Sequence, residues 1–128
     1  MKSSIMHKVC QLDDFSHELY AVEADDEDSK YLIATSEQPL IGMHMGEQIE
    51  PQSLPFKYGG FATQFRKEAG SHGRDVWGIF RVHQFEKCEQ LVYCEPEKSW
   101  EELDNMIATS QKFYEGLGLH HQVIKIVS

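Results

Sequence analysis

The sequence predicts an α+β fold with helices flanking a mostly antiparallel sheet. Three observations carry that expectation. Two β-rich segments, "FKYGGFATQFRKE" and the stretch from Ile79 to about Cys94, flank a glycine-bearing loop and read as a hairpin. "EPEKSWEELDNMIATSQKFYEGLG" has helical rather than strand periodicity. The order of elements is helix, strands, helix, hairpin, helix, strand.

The elements follow in order. From Ser3 to Leu12 the apolar residues Ile5, Met6, Val9, Cys10 and Leu12 recur with the period of a short amphipathic helix. "ELYAV" and "KYLIAT" read as two strands separated by an acidic tip. Thr35 or Ser36 is placed to cap a helix running through Met45, with Gln38 three residues after Thr35 and Pro39 in the first turn. "PQSLP" breaks the chain. In the first hairpin strand, Gly59-Gly60 marks a bulge or a close backbone approach. In the long helix Ser99 caps and Glu102 closes a capping box. Leu103, Met106, Ile107 and Phe113 form the apolar stripe, and Gly116 or Gly118 ends it. "HQVIKIV" reads as a last strand.

The chain has 128 residues, the size of one domain. Its longest apolar runs, "YLIA" and "LVYC", are strand-sized, so no membrane span is expected. "MKSSIMHKVCQ" is basic, but its apolar residues are interrupted, which does not suit a secretory leader. The net charge of -9 argues against indiscriminate nucleic-acid binding. That charge is unevenly placed. From Arg66 to Lys87 the chain carries a local +2, whereas "EADDED" is acidic at five of its six positions. The acidic run reads as a solvated loop tip. Cys10, Cys88 and Cys94 form no CxxC. Cys88 and Cys94 would lie roughly 20 Å apart on a strand, too far for a disulfide, so reduced thiols in a cytoplasmic setting are expected. The seven histidines show neither HxxxH nor HExxH, and no metal site is expected from them.

The hairpin carries the chemistry. Side chains on a strand alternate, so Arg81, Phe85 and Glu89 are expected on one face, and Arg66 and Glu68 on one face of the partner strand. Two guanidiniums, two carboxylates and a ring would then share a surface. A dry core does not tolerate such a face, and a solvated face has no need of Phe85 in its middle. A ligand with anionic and planar parts suits it; a solvated sheet face with cross-strand ion pairs is the other reading. The connecting loop exceeds the ~2–5 residues usual for hairpins and holds Gly70, Gly73, Gly78, His72, Arg74 and Trp77, a composition that suits contact with a ligand.

"FRKEAGSHGRD" followed by "GIFRVHQFEKCEQ" resembles the motif 2 hairpin of class II aminoacyl-tRNA synthetases, within them the seryl-specific family of eukaryotic type. "QLDDFSHELYAVE", "KYLIATSEQPL", "LPFKYGGFATQFR", "KSWEELDNMI" and "FYEGLGL" are similar to that family in the same order. The resemblance covers nearly the whole chain. It implies that residues 1–128 are part of a class II catalytic domain, with motif 2 at about 61–94. By the same comparison motif 1, motif 3 and the N-terminal tRNA-binding arm lie outside this sequence, and motif 3 would normally cover part of the sheet.

The resemblance also implies roles. Arg66 resembles the arginine on the ATP α-phosphate and the principal catalytic group. Glu68 is similar to the acidic residue near the adenine amino group, Arg81 to the second nucleotide-binding arginine, and Phe85 to the ring that stacks on adenine. Glu89 and Thr35 resemble the pair that holds the serine ammonium and hydroxyl, with Glu37 beside them. His72, Arg74 and Trp77 fall where the family meets the tRNA acceptor end. Activation of serine by ATP, with magnesium on the phosphates, and transfer to tRNA(Ser) would follow, in a homodimeric, cytoplasmic parent enzyme. The alternative is a non-catalytic fragment that binds nucleotide or a protein partner. Spacing fits the first reading in part. Phe85 and Glu89 would lie roughly 13 Å apart on a strand, about the length of an adenylate. Arg81 would sit another ~13 Å away, out of reach unless the strand bends or the side chain folds back.

Overall fold

A computed structural model of the chain describes residues 1–10, 16–23, 29–68 and 79–126. The acidic tip from 24 to 28 and the hairpin loop from 69 to 78, with His72, Arg74 and Trp77, lie outside the described residues. The fold is α+β, as expected, and its helices and antiparallel strands fall into two compact units.

The first unit comprises Met1–Gln48 and Lys57–Leu91. Helix α1 spans Ser3–Val9. Strands β1 (Ala21–Val22) and β2 (Lys30–Tyr31) pair antiparallel, Ala21 opposite Tyr31, flanking the acidic tip as expected. The chain start extends this pair: Lys2 bridges Lys30, the Tyr31 N–H donates to Met1 O at 2.8 Å, and the Met1 ammonium donates to Tyr31 O at 2.6 Å. Met6 and Leu19, 0% and 1% exposed, form the core, with Met1, Cys10, Tyr31 and Ala34 packed around them.

Helix α2 spans Glu37–Gly42, ending before the expected Met45, and α1 packs against it. Strands β3 (Phe56–Phe65) and β4 (Gln84–Tyr93) hydrogen-bond as the hairpin. Gly60 is where β3 comes closest to α2. A Cβ there would lie 2.8 Å from Ser36 Cβ and 2.9 Å from Leu40 Cδ1, so the glycine marks the expected close approach. The end of β3 is tied to the N-terminal segment: the Phe65 N–H donates to Ile33 O and the Lys67 N–H to Glu18 O, both at 2.9 Å. That stitching brings the chain around Thr35 to the covered face of the hairpin.

The second unit comprises Ile49–Phe56 and Val92–Ser128. Pro51–Ser53 forms a short 3-10 turn at the expected break. Helix α3 spans Ser99–Gly116. The expected capping box does not form. A 3-10 turn, Pro96–Lys98, leads directly into the helix, and the Ser99 hydroxyl donates to Pro96 O at 2.8 Å instead of accepting from the first helical turn. Gly118, with φ +68°, ends the helix as the sequence suggested. Its N–H donates to Glu115 O at 2.9 Å and the Leu119 N–H to Tyr114 O at 3.1 Å, a Schellman closure. The apolar stripe stays open: Leu103 and Phe113 are 40% and 63% exposed. The expected last strand is absent among the described residues. Ile124 and Ile126 are exposed in a segment without ladder pairing, and a strand exists only with a partner for its backbone groups.

Candidate active site

The first unit assembles its polar side chains through the pleat of the hairpin. On β4 the covered positions are Phe85, Lys87, Glu89 and Leu91; on β3 they include Gly60, Ala62 and Gln64. Arg66 continues the β3 parity one step past the strand, and its N–H still donates to His83 O at 3.0 Å. The expected sharing of a face therefore holds for Phe85 and Glu89, and Arg66 reaches Phe85.

At one end the groups are held closely. The Thr35 hydroxyl lies 2.6 and 2.8 Å from the two Glu89 carboxylate oxygens. The Glu37 backbone N–H donates to Glu89 Oε2 at 3.0 Å. The Lys87 ammonium donates to Glu89 Oε1 and to Thr35 Oγ1, each at 2.9 Å. Thr35 thus binds across to β4 rather than capping α2, whose N-cap residue, Ser36, makes no side-chain cap bond. Partial burial pushes the Glu89 carboxyl up. The hydrogen bonds from Thr35 and Lys87, the Lys87 charge and the Glu37 amide outweigh that and leave it below its ordinary value. It is an ionised carboxylate at neutral pH. Glu37 takes part through its backbone. Beneath this cluster Gln64, fully buried, donates to Ser36 Oγ and Ala62 O, both at 2.9 Å, and fixes the start of α2 on β3.

At the other end lies an open cavity of about 780 Å³, lined by Arg66, Glu68, Phe80, Arg81, Val82 and Phe85. The Arg66 guanidinium stands over the Phe85 ring, 5.4 Å from its centroid, and its Nε donates to Ala34 O at 3.1 Å. Arg66 also borders a second cavity of about 330 Å³, shared with Thr35, Glu37, Gln38, Ala34 and Cys10. It therefore forms the wall between the open cavity and the Thr35 side. Burial pushes the Cys10 thiol up, partly offset by a Gln38 hydrogen bond, so it is a poor nucleophile.

Two expectations need correcting. Glu68 and Arg81 are not on the strands, because β3 ends at Phe65 and β4 begins at Gln84. Glu68 sits in the left-handed region at φ +53°, a conformation costing on the order of 1–3 kcal/mol for a residue with a Cβ. Arg81 lies in a bend before β4 and its Nη1 donates to Glu68 Oε2 at 2.6 Å. The bend removes the reach problem of a flat strand and places Arg81 on the same cavity as Phe85. Lys87 was missed. The signal was available, since it lies between Phe85 and Glu89 on the same face by period two. Phe80 had no such signal, because its position depends on the bend.

Among the described residues no group of three or more His, Cys, Asp or Glu could hold a metal ion. Cys10, Cys88 and Cys94 are unbridged. Among the described residues no helix is long and apolar enough to cross a membrane.

A family model described as the tRNA synthetase class II core domain (G, H, P, S and T) matches residues 20–128. A cytoplasmic serine–tRNA ligase of Dictyostelium discoideum is 57% identical over 128 residues, covering 100% of this chain and 28% of the relative. The solved cytoplasmic serine–tRNA ligase of Naegleria fowleri in complex with AMP is similar with TM-score 0.83 and 52% identity, over 92% of this chain and 28% of that one. Seryl-tRNA synthetase from Pyrococcus horikoshii complexed with ATP matches with TM-score 0.76 and 41% identity, over 90% and 25%. The chain thus spans about a quarter of the length of the relatives it matches.

Proposed function

The chain belongs to the class II tRNA synthetase core-domain family, and from that membership we propose that it is part of a cytoplasmic serine–tRNA ligase and carries the recognition half of the serine-activation site. In the proposed reaction the serine carboxylate attacks the α-phosphorus of ATP in line. The bond to the leaving pyrophosphate breaks, giving seryl-adenylate. A ribose hydroxyl at the 3′ end of tRNA(Ser) then takes the seryl group and AMP leaves. The first step needs no general base, because the attacking carboxylate is ionised at neutral pH. Positioning and charge neutralisation carry it.

Arg66 is the proposed catalytic group. Its planar fork suits bidentate contact with phosphate oxygens as charge accumulates, and it stands beside Phe85, the proposed adenine platform. Arg81 and Glu68 line the same cavity and are assigned to the nucleotide. Thr35 and Glu89 are assigned to the serine ammonium and hydroxyl, with the Glu37 N–H fixing the carboxylate. A site built to bond a hydroxyl rejects an analogue lacking it by ~10⁴ or more. His72, Arg74 and Trp77 are proposed to meet the acceptor end, and the complete ligase is proposed to act as a homodimer. Magnesium would act on the ATP phosphates; the described residues offer it no three-ligand cluster, and no residue of this chain is assigned to it.

One observation carries the reading: an ionised carboxylate and a hydroxyl are joined in the middle of β4, while a guanidinium and a ring meet near its start. The test is calorimetric titration of this chain with AMP and with a sulfamoyl analogue of seryl-adenylate. The reading predicts tighter binding of the seryl compound. Equal binding of the two would favour a nucleotide-binding piece without amino-acid recognition, and no binding of either would leave a role in protein contacts.

A further inference from the structure

The proposed serine assignment leaves out one group, Lys87, which holds both halves of the amino-acid end. We propose that Lys87 is a positioning residue that makes the Thr35–Glu89 pair acceptor-only, so that these two side chains recognise a ligand through its donors, an ammonium and a hydroxyl. The inference rests on the reading above and goes beyond it by stating what decides the hydrogen-bond polarity of the site.

The argument is one of donors and acceptors. A lysine ammonium has three donors and no acceptor; a hydroxyl has one donor and two lone pairs; a carboxylate has only lone pairs. Lys87 Nζ lies 2.9 Å from Thr35 Oγ1, so Thr35 must accept there. The Thr35 proton is then directed to Glu89, whose oxygens lie 2.6 and 2.8 Å away. With that proton committed, Thr35 offers a ligand one lone pair. Glu89, accepting from Thr35, from Lys87 and from the Glu37 N–H, likewise offers only lone pairs. No donor of this pair faces the ligand. The two side chains therefore accept from a substrate ammonium or hydroxyl and offer a carboxylate or phosphate only lone pairs, while Lys87 keeps one N–H beyond the two bonds it makes to them.

Removing Lys87 frees the Thr35 hydroxyl to rotate and donate, and leaves Glu89 with one fewer cationic partner. Lys87 side-chain atoms are 30% exposed and those of Glu89 21%, so the pair is reachable by a ligand. The Lys87→Met variant keeps the length of the stem and loses the ammonium; Lys87→Arg restores a donor with no acceptor.

The experiment titrates wild-type chain and both variants with three probes: AMP, the sulfamoyl analogue of seryl-adenylate, and its alanyl counterpart. Lys87→Met is expected to weaken the seryl compound about tenfold or more, as for loss of a charged hydrogen bond, and to shrink the seryl-over-alanyl preference. AMP affinity should stay within about twofold, and Lys87→Arg should recover most of the preference. Equal loss for all three probes would mean that Lys87 merely supports the fold, and overturns the inference. A wild-type chain that prefers the seryl compound, with a Lys87→Met chain that prefers it equally, overturns the inference and leaves the serine reading standing. A wild-type chain that binds the seryl compound no better than AMP overturns both.

Discussion

The start and the middle of β4 are built on opposite plans. Around Glu89 the chain satisfies its own groups: the carboxylate, hydroxyl, ammonium and amide contacts all fall between 2.6 and 3.0 Å. Around Phe85 it leaves a cavity of about 780 Å³ bordered by two arginines. The cluster around Glu89 is pre-organised, and under the proposed function it reads a small ligand by hydrogen-bond polarity. The open end presents positive charge and a ring face, which a nucleotide can complete with phosphate and base. The difference teaches that one strand can carry a self-satisfied polar cluster and an open cavity side by side, with Arg66 as the wall between them; under the proposed function the first would set specificity and the second affinity.

The largest expected effect comes from removing that wall. Arg66→Ala deletes the phosphate fork, the cation over Phe85 and the bond to Ala34 O together. It should weaken a seryl-adenylate analogue by about 100-fold or more, measured by calorimetry. A loss below tenfold would mean that the two ends do not depend on Arg66.

An intermediate effect lies in the titration of Glu89. Its folded-state value is depressed, so the stabilisation from its bonds is full above its unfolded value, about 4.3, and is lost as pH falls through the lower folded value. The groups facing it are Lys87 from β4 and Thr35 with the Glu37 amide from the start of α2. Carboxyl NMR should show Glu89 titrating below an ordinary glutamate in the wild-type chain, and closer to it in Lys87→Met. An unshifted wild-type titration would break the picture of a pre-organised end.

Much of this was legible in the sequence, and the failures have physical causes. Phe85 and Glu89 could be placed on one face because strand alternation is a local rule. Gly60 announced a close approach, and α2 is indeed what it meets. Arg81 and Glu68 were misplaced because strand ends are set by a bend and by a left-handed residue, which periodicity does not report. The capping box at Ser99 failed because the preceding 3-10 turn offered the hydroxyl a carbonyl first. The strand expected at "HQVIKIV" needed a partner, and pairing is not a property of a segment alone.

The smallest expected effect falls in the second unit. Gly118→Ala places a Cβ at φ +68° and should lower stability by about 1 kcal/mol in chemical denaturation. Ligand affinity should not change. A change there would show that the contrast between the two ends is not confined to β4.

The central claim is that AMP engages only the open end, whereas a seryl-adenylate analogue engages both. The most direct measurement labels the Thr35 methyl and the Phe85 ring and follows their NMR shifts during the two titrations. AMP should move the Phe85 ring signals and leave the Thr35 methyl in place, and the seryl compound should move both. A Thr35 methyl that responds equally to the two ligands, or to neither, would contradict the account.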